Sequence, residues 1–319
     1  MEDSKRKNII PYEELILAVF RGDRKSAAKL MKFIDDREDG YLDVLAKIYP
    51  ATGKSLIIGI TGSPGCGKST IIDGLISAIR KKGKKVGVVA IDPSSHLSGG
   101  AILGDRVRMQ SHSTDSGVFI RSVATRGGIG GLSPSAIDIC RIMEAMGMDV
   151  ILIETVGVGQ DEVDIRIISS VTVLVLSPDT GDSIQLMKAG IMEIADIFVV
   201  NKKDKEESMN IYQELKNFLN SMENIQKPVI LTQAINGDGI EELLKETEAF
   251  QEPHDRKKLK LRMEILRRLS DIFITLVNEN LSSEIDIEVG KIQSGIQTPY
   301  EVLKKFKAIA EKTFKQESK

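Results

Sequence analysis

Apolar positions recur along this chain at two spacings. Near the start the spacing is helical. Leu15, Ile16, Val19 and Phe20 share one face, Arg21-Gly-Asp-Arg24 breaks the pattern, and Ala27, Leu30, Met31 and Ile34 form a second stripe. Two helices are therefore expected between Pro11 and Ala46, followed by a linker at Tyr49-Pro-Ala-Thr-Gly53. From Ser55 the pattern changes to short continuous apolar runs rich in Val and Ile. These are Ser55–Thr61, Val86–Ile91, Val118–Ile120, Val150–Ile153, Val171–Leu176, Asp196–Val200 and Pro228–Leu231. Most are separated by helical patterns. Runs without alternation describe strands buried on both faces, so the expected fold is α/β, with a mostly parallel sheet and helices on both sides. From His254 helical spacing returns through Leu259, Met263, Leu266, Leu269, Ile272 and Leu276, and a last helix is expected over Tyr300–Phe314. The organisation is read as an N-terminal helical extension over 1–50, a nucleotide domain over 51–250 and a C-terminal helical arm over 251–319. The long helix needs cover for its apolar stripe, and its own domain or a second copy of the chain can supply it. The basic run Arg256–Arg262 reads as a solvated helix face.

The sharpest chemical signal is Gly62-Ser-Pro-Gly-Cys-Gly-Lys68-Ser69, which satisfies G-x-x-x-x-G-K-[ST] between an expected strand and an expected helix. The loop Gly62, Ser63, Pro64, Gly65, Cys66 and Gly67 can turn its backbone N–H groups inward around phosphate. The helix that follows adds its positive end. Lys68 then reaches the β- and γ-phosphates, Ser69 supplies a hydroxyl to Mg²⁺, and Thr70 at the helix start is a further nucleotide-binding candidate. This is the signature of a P-loop NTPase.

A second motif, Asn201-Lys-Lys-Asp204, follows the run Ile197–Val200. The Asp204 carboxylate suits the ring N–H and exocyclic amine of guanine, whereas adenine presents a lone pair where guanine has the ring N–H. Such a polar site discriminates by on the order of 10⁴-fold. Asn201 is read as the brace of this loop and the Lys202 stem as cover for the base plane. The expected nucleotide is GTP. Asp92, Asp105 and Glu154 are acids suited to Mg²⁺ and its water, and Asp92 and Glu154 each close an apolar run. Gly157 can offer its N–H to the γ-phosphate. The loop from Arg121 to Gly131 carries Arg121 and Arg126, which suit either a developing phosphate charge or a partner.

Bulk properties narrow the partners. The chain has 319 residues, a net charge of −2 and no tryptophan. Neither general nucleic-acid binding nor a membrane surface is indicated by that charge. Cys66 and Cys140 are the two cysteines, and their placement argues against a structural disulfide and for a reducing cytosol. The first residues lack the apolar core of a secretion signal, and no run of 18 uncharged apolar residues occurs. A cytoplasmic protein without a membrane span is expected.

Taken together, the segments Gly62–Thr70, Asp92-Pro-Ser-Ser95, Ser98–Arg106, Arg121–Gly127, Glu154-Thr-Val-Gly-Val-Gly-Gln160, Lys188–Asp196 and Asn201–Asp204 resemble the MeaB/ArgK/MMAA GTPases, the G-protein chaperones of cobalamin-dependent acyl-CoA mutases. The resemblance implies that Lys68 and Ser69 bind phosphate and Mg²⁺, and that Asp92, Asp105 and Glu154 surround the metal directly or through water. Lys68, Asp92, Glu154 and Gly157 are then the catalytic candidates. Asn201, Lys202 and Asp204 read guanine, with Gln233 and Ala234 backing the base where the family commonly has Ser-Ala. Asp161 stands where the family usually has Ser. Arg106, Arg108, Arg121, Arg126, Gln160, Gln185 and Lys188 are implied as switch or partner contacts, and Pro178–Lys188 as an additional switch. The resemblance further implies a homodimer joined through C-terminal helices. Its implied role is to gate cobalamin loading and to protect or reactivate methylmalonyl-CoA mutase or a related mutase. Alternative readings are a nickel-insertion GTPase and a P-loop kinase. Nickel insertion calls for soft or imidazole ligands, and this chain offers only His96, His112, His254 and two separated cysteines.

Overall fold

The computed structural model describes residues 12–92, 112, 114–124, 134–155, 161–180, 194–221 and 226–317. They form two compact units, Met1–Lys260 and Leu261–Lys319.

The first unit is built on seven strands: β1 (Leu56–Thr61), β2 (Val86–Asp92), β3 (Val118–Ala124), β4 (Val150–Glu154), β5 (Val171–Leu176), β6 (Ile197–Val200) and β7 (Val229–Leu231). Their order is β3-β2-β4-β1-β5-β6-β7. Every pairing is parallel, as the unbroken apolar runs require. Alternate residues feed opposite layers. Ile58, Ile60, Val171, Val173, Ile197 and Val199 pack with α4 (Lys68–Lys81) and α8 (Ile240–Ala249). Leu174, Leu176, Phe198 and Val200 pack with Leu215 and Leu219 of α7 (Glu206–Ser221). Val89, Ile91, Ile151 and Ile153 pack against α5 (Pro134–Ala145), α6 (Asp161–Ile168) and three N-terminal helices.

Those three are α1 (Tyr12–Phe20), α2 (Arg24–Asp35) and α3 (Tyr41–Ile48). The sequence pattern indicated two. The third arises because Gly40 takes a left-handed turn at φ 87° and restarts the helix. Part of the expected linker, Tyr49–Ala51, is a 3₁₀ turn. Strand β3 also runs past Ile120 to Ala124, which places Arg121 on a strand opposite Val89 instead of in a loop.

The second unit comprises the distal part of α9 (His254–Gln293) and α10 (Pro299–Glu317). Thr298 and Glu301 form a capping box at the start of α10, with Thr298 N donating to Glu301 Oε2 at 2.8 Å. The proximal part of α9 belongs to the first unit. There Arg256 and Lys260 correct the solvated-face expectation. Arg256 Nη1 lies 2.7 Å from Asp196 Oδ2, and Lys260 pairs with Glu252.

The turn between α9 and α10 is tied by one buried carboxylate. Glu288 accepts from Lys305 Nζ at 2.6 Å and Lys291 Nζ at 3.1 Å, and from Gln297. Led by Lys305, these donors hold its pKa at about 2, against an ordinary 4.5. A depressed carboxylate contributes stability above its unfolded pKa and loses it as pH falls through the folded one. Glu288→Gln should therefore destabilise this unit near neutral pH. The gap from wild type should close between pH about 4.5 and about 2, as followed by thermal unfolding in far-UV circular dichroism. A gap independent of pH would remove Glu288 from this role.

Candidate functional site

The carboxyl ends of β1, β4, β2, β5 and β6 lie along one edge, and chain direction across the sheet reverses around β1. Such a switch point opens a crevice at that edge. The loop from Gly62 to Gly67 joins β1 to α4 there, and its glycines meet specific demands. A Cβ at Gly62, whose φ is +141°, would lie 2.2 Å from Val175 O. A Cβ at Gly67, at φ +99°, would lie 2.3 Å from Asn201 Nδ2. Gly67 is also the N-cap of α4 and brings no side chain to its N–H groups, so the helix start is open to an anion.

Lys68 is buried, and its Nζ donates to Gly62 O at 2.6 Å and Ser63 O at 3.1 Å. The ammonium is therefore held back over the loop. Ser69 Oγ donates to Glu154 Oε1 at 2.7 Å. Glu154 is the last residue of β4, set opposite Ile60 and Ala90, so the sheet register brings a carboxylate to the helix start. A hydroxyl and a carboxylate are hard oxygen donors, the type that suits Mg²⁺ beside phosphate oxygens. Asp92 closes β2 opposite Ala124 on the same edge. Beside Glu154, Thr155 Oγ1 lies 3.1 Å from Thr61 Oγ1 and links the ends of β4 and β1. Burial raises the Cys66 thiol above its ordinary pKa, with neighbouring Lys68 opposing. Cys66 is a packing residue under the loop, without the exposure a reactive thiol needs.

Asn201 sits at the end of β6 with 4% of its surface exposed. Its carboxamide joins three loops. Nδ2 donates to Cys66 O at 3.0 Å. Oδ1 accepts from Thr232 Oγ1 at 3.0 Å and from Ala234 N at 3.2 Å. Backbone bonds reinforce the junction, from Asn201 N to Leu176 O at 2.9 Å and from Lys203 N to Thr232 O at 3.0 Å. Lys202 adopts a left-handed φ of 65°, and its Nζ reaches Gly65 O at 2.7 Å. Asp204 is exposed in the turn that follows. Gln233 pairs with Asp238 in an isolated bridge beyond Thr232. The structure thus brings together Gly62 to Thr70, Glu154, the Asn201–Asp204 loop, Gln233 and Ala234. Arg121 stands apart on β3. Asp105, Arg106, Arg108, Arg126, Gly157, Gln160, Gln185 and Lys188 lie outside the described residues, as does the side chain of Asp92.

Sequence reasoning missed Thr232 as a second brace of Asn201. It also missed Ser208, whose Oγ donates to Lys202 O at 2.6 Å, and Asp179, which accepts from Lys202 Nζ at 2.6 Å. Ser208 had a weak signal, since a hydroxyl in the first turn of a helix often bonds nearby backbone.

Comparison with known proteins follows the same lines. Residues 28–288 match the family model described as methylmalonyl Co-A mutase-associated GTPase MeaB. A protein of Pyrococcus abyssi (strain GE5 / Orsay) that bears a GTPase name is 46% identical over 286 residues, covering 87% of each chain. The GTPase ArgK of Escherichia coli (strain K12) is 34% identical over 241 residues, covering 72% of this chain and 73% of its own. A Caenorhabditis elegans protein named methylmalonic aciduria type A homolog, mitochondrial, is 36% identical over 207 residues, covering 60% of this chain and 52% of its own. Among solved structures, one described as LAO/AO transport system kinase superposes with a TM-score of 0.68 at 23% identity. It covers 96% of this chain and 99% of its own, a likeness of fold. With a phosphate loop on an all-parallel sheet and a family match over most of its length, this chain is a P-loop GTPase and belongs to the methylmalonyl Co-A mutase-associated MeaB family.

Proposed function

We propose that this GTPase acts as a nucleotide-switched chaperone of a cobalamin-dependent acyl-CoA mutase, methylmalonyl-CoA mutase or a related enzyme. In this role it gates cobalamin loading and protects or reactivates its client. The observation that carries the reading is the match of residues 28–288 to a family described by its association with that mutase.

In this reading the loop Gly62–Gly67 and the start of α4 hold the phosphates, and Lys68 swings from its carbonyl contacts to the β- and γ-phosphates. Ser69, Glu154, Asp92 and Asp105 hold Mg²⁺ directly or through water. Bound there, the ion neutralises charge on the phosphate oxygens. The hydroxyl–carboxylate pair of Ser69 and Glu154 supports this assignment. Gly157 senses the γ-phosphate, and Asp204 accepts from guanine while Gln233 and Ala234 back the base. Arg106, Arg108, Arg121, Arg126, Gln160, Gln185 and Lys188 are assigned as switch or partner contacts.

The protein works as a homodimer joined through its C-terminal arm, residues 251–319, with 1–50 as a helical extension of the GTPase domain. Exposed Leu261, Ile265, Leu266, Leu269 and Phe273 on α9 support that assembly. The buried free thiols of Cys66 and Cys140 suit a reducing cytoplasm. No helix among the described residues is long and apolar enough to cross a membrane.

The reading is tested by the GTP hydrolysis rate with and without a purified cobalamin-dependent mutase from the same source. A clear rise with the mutase is expected, and an unchanged rate with GTP still bound would point to another client. Two substitutions test the site. Lys68→Ala should abolish tight GTP binding in calorimetry, and unchanged affinity would remove the phosphate-loop role. Asp204→Asn should weaken GTP and improve xanthosine triphosphate, which has a carbonyl where guanine has its amine. The shift in their ratio should be about 10²-fold or more, and an unaltered ratio would take Asp204 out of the base site.

A further inference from the structure

Asp179 lies at the start of the Pro178–Lys188 segment read as an additional switch but has no individual task there, yet its carboxylate grips the loop read as the guanine reader. It lies in the 3₁₀ turn Pro178–Thr180, which follows β5. Strand β5 runs between β1 and β6, so this turn emerges between the phosphate loop and the Asn201–Asp204 loop. Asp179 Oδ2 accepts from Lys202 Nζ at 2.6 Å, and its Oδ1 accepts from Lys205. The same Lys202 ammonium donates to Gly65 O at 2.7 Å. Lys202 is thus held at both ends. Its backbone is fixed in the left-handed region at φ 65°, with Ser208 Oγ on its carbonyl. Its ammonium is fixed by Asp179 and Gly65. A non-glycine residue keeps such a backbone only where its surroundings determine it.

A free lysine stem samples many rotamers and loses them on packing against a ligand. A stem already stretched between two anchors has lost them beforehand, which favours the ligand that packs on it. Lys202 and Lys205 together hold the Asp179 carboxyl below its ordinary range, with the Lys202 hydrogen bond the larger cause. The pair is partly exposed, with 27% and 39% of the side chains accessible, so its effect is modest and sensitive to salt.

We propose that Asp179 is a positioning residue for guanine recognition: it fixes the Lys202 ammonium against Gly65, so that the aliphatic stem is set in advance as the platform for the base. This rests on reading Asn201–Asp204 as the base-binding loop. It adds a residue from outside that motif, and it makes the turn after β5 a contributor to nucleotide affinity.

The test uses the full chain and two probes in calorimetry, GDP and inorganic tripolyphosphate. Asp179→Asn keeps the shape and removes the charge. It should weaken GDP about two- to fivefold while leaving tripolyphosphate and thermal unfolding unchanged. Asp179→Glu should recover part of the GDP affinity. In a Lys202→Ala background, Asp179→Asn should add no further loss. Wild-type GDP affinity in Asp179→Asn, an equal loss of both probes, or full additivity with Lys202→Ala would each overturn the proposal. Asp204→Asn in the same series separates the two readings. If it changes base preference while Asp179→Asn has no effect, only the role of Asp179 falls. If it leaves base preference unchanged, the base-site reading falls and the proposal with it.

Discussion

The site depends on one buried carboxamide. Asn201 spends both polar ends of its side chain on backbone and hydroxyl groups of two other loops, Cys66 O on one side and Thr232 Oγ1 and Ala234 N on the other. Without it the phosphate loop, the Asn201–Asp204 loop and the loop after β7 have no common reference point. Its burial is what makes the contact demanding. A polar group removed from water must find partners, and removing one member leaves the others unsatisfied. The glycine at position 67 belongs to the same constraint, because any Cβ there would occupy the place of Asn201 Nδ2.

That junction is placed by the sheet. Both faces of the central strands are buried, so their register cannot slip without turning core residues toward the wrong layer. Fixed register fixes where each strand ends. Glu154 reaches Ser69 because β4 pairs with β1 from Leu56 through Ile60. Asn201 reaches Cys66 because β6 lies one strand beyond β5, which flanks β1 on the other side. At Gly59, a Cβ would sit 2.6 Å from Ile165 Cγ1, so α6 packs directly on the backbone of the central strand. The chemistry is local, but its geometry is carried by the apolar core.

Much of this was legible in the sequence. The phosphate loop and Asn201–Asp204 announce themselves because each compresses a whole interaction into a few adjacent residues. The strands were legible because parallel, doubly buried strands leave unbroken apolar runs. The third N-terminal helix was less visible, since Tyr41–Ile48 is short and depends on the turn at Gly40. Strand β3 was underestimated because Arg121 and Ser122 interrupt its apolar run, while pairing with Val89 and Ala90 continues it. Arg256 and Lys260 looked solvated because a charge run carries no mark of Asp196, remote in sequence, or of Glu252, just before the helix, that pair with them. Thr232 and Asp179 share this difficulty. Each acts through a partner 31 or 23 residues away, and periodicity contains no record of such pairs.

The balance of energies sets a rigid core beneath loops that are held by much weaker contacts. The sheet and its layers bury dozens of aliphatic side chains at roughly 1.5–3 kcal/mol each, far more than any single loop contact. The loops meet through a few hydrogen bonds worth about 0.5–1.5 kcal/mol apiece and through partly exposed ion pairs worth less. A nucleotide that changes the partners of Lys68 and Ser69 therefore competes with interactions of its own size and leaves the core untouched. Switching elements are drawn from this low-stability end of a structure. The same hierarchy makes Lys202 a sensitive point, because its ammonium touches the phosphate loop and the turn after β5 at once. Whatever moves that side chain alters both loops together.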